Sequence, residues 1–184
     1  MASAITHFIV GASLALPALE SRPLLNALPG WRIPVSAGLF AVAADLDTFV
    51  MGALRIPYDS FFGHRGFFHS PFFLALFFTG MAAIAARGHR RSAVPLAALW
   101  TGCAVTHPLL DMLTDGGLGV MLLFPFSEER LFFPFTPIHV SPFGILQFFR
   151  RAGYILASEA PFCAAALFLG SAGLLARRRV VRRN

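Results

Sequence analysis

Five stretches of this chain, at roughly 4–19, 34–54, 69–86, 93–113 and 157–176, are apolar over about the length a helix needs to cross a bilayer. About 20 mostly apolar residues, each rising 1.5 Å, span a hydrocarbon core about 30 Å thick. Hydrocarbon offers backbone N–H and C=O groups no partner, so each stretch must satisfy them internally, as a helix does. Composition agrees: 57% of the 184 residues are apolar and 13% charged, against about 45–50% and 25% in soluble domains. With 21 Phe, a solvated disordered chain is excluded. The expected fold is an all-α polytopic integral membrane helix bundle of about five transmembrane helices, forming a single membrane-embedded domain over 1–184.

The first and third stretches are short and carry polar residues at one end. Loops rich in Pro, Gly and Arg, such as Glu20 to Arg32, separate the stretches. Segment 118–135 is apolar but broken by Pro125 and Pro134, which makes it interfacial or re-entrant. Segment 137–154 reads as an amphipathic helix lying on the surface, so an interfacial segment is expected between the fourth and fifth spans. Met1 to Phe8 holds no Arg or Lys, and a signal peptide needs a basic start, so the first stretch reads as a retained helix. Cys103 and Cys163 stand alone in apolar runs and behave as small buried residues.

Orientation follows from arginine. All 15 cations are Arg. Ten of them sit at 22, 32, 87, 90, 91, 177, 178, 179, 182 and 183, in three regions that five spans put on one side. Cytoplasmic loops collect such residues, so the N-terminus is expected outside and the C-terminus inside a bacterial inner membrane. The same clustering reads the net charge of +6 as a topology signal and not as a nucleic-acid footprint.

That frame makes the remaining ionisable residues interpretable, because carboxylates and His are costly in hydrocarbon. His7, Asp45, Asp47, His64, His69, His107 and Asp111 all fall toward the outer face, and Asp115 ends the fourth span. His107 and Asp111 are four apart and share one helix face, a sound placement for two ligands of one metal. Asp45 and Asp47 are two apart and converge only if their helix ends or distorts; otherwise one is a ligand and the other stands behind it. His64 and His69 flank a turn before Pro71, a favoured first helical residue. Three His and two or three Asp make a hard N/O donor set suited to zinc, and to manganese or iron. His89 and His139 read as packed residues, and a proton or ion pathway is the main competing use of the set.

The motifs Thr6-His7 with Gly11, Asp45-Leu46-Asp47, His64-Arg65-Gly66 with His69-Ser70, Thr106-His107 with Asp111, and Phe124-Pro125-Phe126-Ser127 resemble the YdjM-type bacterial inner-membrane metal-dependent hydrolases. The likeness runs over about residues 1–145. That family is described as distantly related to zinc-dependent phospholipase C, and as LexA-binding in some members. The resemblance implies one zinc held by Asp47, His69, His107 and Asp111, and a second helped by His7 with Asp111 bridging. Three metals are not expected: the amino-terminal Trp ligand is absent, and His139 and Glu159 are poor counterparts of the later ligands. Ala44 stands where Pro is frequent and Asp115 where Thr is usual.

The implied reaction is hydrolysis of a phosphoester, lipid-like substrate at the outer face, zinc supplying an activated water. Arg65 would grip phosphate oxygens, His64 act as general acid or further ligand, and Asp45 orient a ligand His or accept a proton. Phe61, Phe62, Phe67 and Phe68 would hold acyl chains or simply face lipid. An ion-coupled transporter, and a regulatory membrane protein with a protein partner, stay open beside the hydrolase. Small size and the absence of repeats count against the transporter.

Overall fold

The computed structural model describes residues 1–183. The chain builds α1 (Ala4–Leu14), α2 (Arg22–Ala27), α3 (Arg32–Val42), α4 (Asp47–Leu54), α5 (Pro71–Ala85), α6 (Ala93–Met112) and α7 (Ile145–Arg183). Short 3₁₀ turns at Leu16–Glu20, Ala43–Leu46, Phe67–His69 and Arg90–Ser92 join or extend them. No strand forms among the described residues; two isolated bridges, Thr114 to Ile138 and Val120 to Leu131, tie the long segment between α6 and α7.

Three helical runs are long and apolar enough to cross a membrane: Arg32–Leu54, Arg90–Met112 and Ile145–Arg183. Ala4–Glu20 and Pro71–Ala85 are apolar but shorter. These five match the stretches read from the sequence and form a helical membrane bundle. Segment 118–135 is irregular, as its prolines require. Segment 137–154 does not form a separate surface helix. It is irregular up to Gly144, and Ile145 onward belongs to the 39-residue α7. Only Pro161 interrupts the hydrogen-bond ladder of α7, so no breaker divides its apolar first turns from the span. At 1.5 Å per residue α7 is about 58 Å long, well beyond a hydrocarbon core of about 30 Å.

The centre of the bundle is α1, which packs on α3, α6 and α7, while α5 packs on α6. Lipid is as apolar as leucine, so close backbone approach, more than exclusion of water, holds such helices together. Gly11 shows the requirement: a Cβ there would stand 2.8 Å from the Ala37 carbonyl oxygen of α3. Ile33, Leu74, Phe78, Leu96 and Trp100 fill the core away from the polar residues, and Trp100 Nε1 donates to Ser36 Oγ at 3.1 Å.

The two ends of the bundle differ. Ser92 Oγ donates to the Pro23 carbonyl, and Arg178 Nε donates to Glu20 Oε1 at 2.9 Å. The three arginine-bearing regions therefore meet at one end. The other end is closed by residues 1–3, the loop 55–70 and the segment 113–144, and it holds the buried ionisable residues.

Candidate metal centre

The α3–α4 run does not continue as a regular α-helix through the carboxylate pair. Residues Ala43–Leu46 tighten into a 3₁₀ turn, which is the distortion that Asp45 and Asp47 need in order to converge. A 3₁₀ turn shifts bonding from i−4 to i−3, and the Ala41 carbonyl lies just ahead of this one. His107 Nδ1 donates to that carbonyl at 2.7 Å. A carbonyl can only accept, so Nδ1 carries a proton, and Nε2 faces inward, 3.3 Å from Asp45 Oδ1 and 3.7 Å from Asp111 Oδ2. The i, i+4 pair on α6 thus shares one target.

His69 enters from the turn before α5, which Ser70 starts by accepting the Phe73 N–H on its Oγ at 3.1 Å. Its Nδ1 is 3.1 Å from Asp47 Oδ2, and its Nε2 is 3.7 Å from Asp45 Oδ1 and 3.9 Å from Asp111 Oδ2. Asp45, His69, His107 and Asp111 bring one ligand atom each within 4.8 Å of one another. Ligands at about 2.1 Å in a tetrahedron stand about 3.4 Å apart, close to the four N-to-O separations of 3.3–3.9 Å found here. The quartet is spaced so that it could hold a metal ion.

Asp47 stands behind this quartet. Its Oδ1 accepts His64 Nδ1–H at 3.0 Å and its Oδ2 faces His69 Nδ1. Asp47, His64 and His69 form a second ligand-capable group that shares His69 with the first. Burial pushes the His64 imidazole below its ordinary range, the Asp47 carboxylate offsetting this only in part, so the ring is neutral at pH 7.

Asp111 is the hub. Its Oδ1 accepts Ala2 N–H at 2.8 Å and lies 3.4 Å from His7 Nε2. Its Oδ2 accepts Arg65 Nε–H at 3.1 Å. The His7 ring stacks on His107 at 3.7 Å but lies outside both ligand-capable groups. Arg65 is fully buried at φ 61°. Its other donors go to Thr114 Oγ1 at 2.8 Å and to the Gly116 and Leu118 carbonyls at 3.0 and 2.7 Å. The guanidinium is occupied by protein, which differs from the open phosphate grip read from the sequence.

Two observations bear on what the cluster holds. Asp111 pairs with the Arg65 guanidinium, while Asp45 and Asp47 face only histidines, and buried carboxylates are costly without a counter-charge. Among the described residues, nine of the ten buried side-chain N and O atoms without a hydrogen-bond partner belong to His7, Asp45, Asp47, His64, His69 and His107. Buried polar groups are otherwise satisfied almost without exception, so this concentration points to a ligand of positive charge.

Several residues that position the site carry no motif signal. Glu159 of α7 is fully buried and accepts from Ser3 N–H, Ser3 Oγ and Thr6 Oγ1, the last two at 2.6 and 2.7 Å. It thereby anchors the start of α1 just before His7. Arg130 ties the His64 and Ser60 carbonyls at 2.9 Å each. Asp115 is exposed and pairs with His139 at 2.7 Å, away from the cluster. Phe61 and Phe67 pack on each other and on Phe124, with Phe62 and Phe68 beside them.

The fold and the cluster define an integral membrane helical protein with a buried His/Asp centre able to hold a metal. The chain belongs to the YdjM inner membrane protein family, whose model matches residues 1–181. It is similar to the inner membrane protein YbcI of Escherichia coli (strain K12), 35% identical over 117 residues, covering 63% of this chain and 66%, just under two thirds, of that protein. No solved structure matches.

Proposed function

We propose that the protein is an integral membrane metal-dependent hydrolase that cleaves a phosphoester of a lipid-like molecule at the outer face of the inner membrane. The observation that supports it most is the convergence of unpartnered buried His nitrogens and carboxylate oxygens in one cluster. Asp45, His69, His107 and Asp111 would hold one zinc-type ion. His7 and the Asp47–His64 pair border positions for a second. When bound, the ion supplies a Lewis acid and a water of lowered pKa.

The chain's own residues divide the remaining work. Asp47 holds His69 from behind, as carboxylates do for metal-ligating His, and His64 holds Asp47. Arg65 balances the Asp111 charge and pins the segment 114–118 over the site. Asp45 is the most exposed of the quartet, at 7%, and its Oδ2 has no partner. Asp45 is thus placed to take the proton of an attacking water and return it to the departing alkoxide. The water oxygen bonds to phosphorus, the P–O ester bond breaks, and ester plus water becomes acid plus alcohol. The N-terminus-out, C-terminus-in orientation puts this end toward the periplasm, with the arginine end in the cytoplasm.

Purified protein loaded with zinc and offered bis(p-nitrophenyl) phosphate and micellar phospholipid tests this. Turnover is expected, abolished by EDTA, restored by zinc, and lost in a folded His69→Ala variant. A metal-loaded wild type that hydrolyses neither probe contradicts the hydrolase reading and favours a regulatory membrane protein that uses its metal for folding.

A further inference from the structure

Beside the quartet, a cavity of about 360 Å³ runs between the start of α1, the α3–α4 junction and the first turns of α7. That volume lies within the range of about 300–1,000 Å³ usual for small-molecule sites. Among the described residues Asp45 is the only charged side chain on its wall, which also includes Met1 and is otherwise mostly apolar, with Ile5, Leu46, Phe49, Phe148 and Phe149 prominent. Phe49 is 75% exposed and belongs to the Arg32–Leu54 run, long and apolar enough to cross a membrane; Phe149, 70% exposed, stands in the first turns of α7 beside Arg150 and Arg151. The cavity thus runs from the exposed apolar flank of the α3–α4 run to a carboxylate of the quartet.

We propose that this groove receives one hydrocarbon chain of a membrane amphiphile, entering laterally from the bilayer, and delivers its polar ester to Asp45. This deepens the hydrolase reading, on which it rests, by assigning the residues that receive the substrate's chain. A water-borne polar substrate would have to leave its hydrogen-bonding groups unpaired against the aromatic wall, which is costly. A hydrocarbon chain exchanges one apolar surrounding for another, so the groove guides the chain while the head group meets the ionisable residues. A second apolar cavity, of about 290 Å³, lies across Leu46 and reaches Asp47. There Asp47 Oδ1 accepts from His64, and its unpartnered Oδ2 stands 3.1 Å from His69 Nδ1. The aromatic residues Phe61, Phe62 and Phe67 line neither cavity.

The test uses the full chain in phosphatidylcholine vesicles, dodecyl phosphate carrying a diazirine at the end of its chain, and mapping of the photolabel by mass spectrometry. Label is expected on Ile5, Phe49 and Phe148. Unlabelled dodecyl phosphate should compete and ethyl phosphate should not. Ile5→Trp, which fills the groove, and Phe149→Ala, at its exposed rim where folding is not at stake, should each lower labelling about tenfold. Label spread evenly over lipid-facing positions such as Phe168 and Leu76 overturns the groove. So does ethyl phosphate competing as well as dodecyl phosphate, or Phe49 cross-linking to a second copy of the chain in place of the probe. Elemental analysis of the same samples separates the two readings. Groove labelling without stoichiometric metal contradicts the hydrolase and leaves the groove standing; metal without groove labelling does the reverse.

Discussion

Replacing Arg65 by Met keeps most of the side-chain volume and removes every donor, which isolates the polar contribution of one buried group. Position 65 has a positive φ, but Arg and Met meet the same steric cost there, so the backbone term cancels. The substitution leaves Thr114 Oγ1 and the Gly116 and Leu118 carbonyls without the guanidinium, and Asp111 without its cation. A buried acceptor left unpaired costs about 1–3 kcal/mol, and breaking a buried ion pair from one side costs about 3–5 kcal/mol. Gly116 and Leu118 are only half-buried, so water satisfies part of their loss. The expected destabilisation is therefore about 3–5 kcal/mol, set mainly by Asp111. Arg65→Lys keeps the charge but not the planar fork, and should recover less than half of that loss. The assay is reversible unfolding of the metal-free protein by SDS titration in mixed micelles, followed by tryptophan fluorescence. Variants within about 1 kcal/mol of wild type would refute the assignment of Arg65 as the counter-charge of Asp111.

Three further outcomes are expected. Glu159→Gln, measured by the same titration, should destabilise by about 1–3 kcal/mol, because three donors at the start of α1 lose a charged acceptor. Asp47→Asn should weaken metal affinity by about 10–100-fold, measured by competition with a chromogenic chelator, and Asp45→Asn should weaken it more, since Asp45 belongs to the quartet. An equal or reversed order would exchange the two assignments. The third concerns pH. Burial depresses the His64 pKa, so the unfolded chain binds more protons than the native one as pH falls below the ordinary value of 6.5. The His64 contribution is thus complete above pH 6.5 and lost on acidification toward the depressed value. Thermal melts of the metal-free protein in detergent should fall over that window, and His64→Gln should flatten the dependence.

The helical spans were legible because an apolar run about 20 residues long has few other uses. The cluster was legible for a related reason: in a chain so poor in charge, His107 and Asp111 at helical spacing stand out against their surroundings. The division of labour between Asp45 and Asp47 was not legible. It depends on a 3₁₀ turn at Ala43–Leu46 whose sequence has no proline or glycine to announce it, and on the Ala41 carbonyl just ahead of it, to which His107 donates. Arg65 looks from the sequence like a free cation beside the site, because its four partners come from residues about 50 positions away. Glu159 gives no local sign of its role, since it caps a helix more than 150 residues distant. The surface helix expected over 137–154 failed for a simpler reason. Amphipathic character describes a helix's faces but not where it stops, and nothing between Ile145 and Arg183 except Pro161 breaks the ladder.

The central claim is that the buried His/Asp cluster holds a metal ion. Elemental analysis by inductively coupled plasma mass spectrometry on the full chain, purified without chelator from zinc-replete cells, tests it most directly. At least one equivalent of a zinc-type divalent ion per chain is predicted, falling to background in a folded His107→Ala variant. A wild-type protein with no stoichiometric transition metal, or a His107→Ala variant that keeps the full amount, would contradict it.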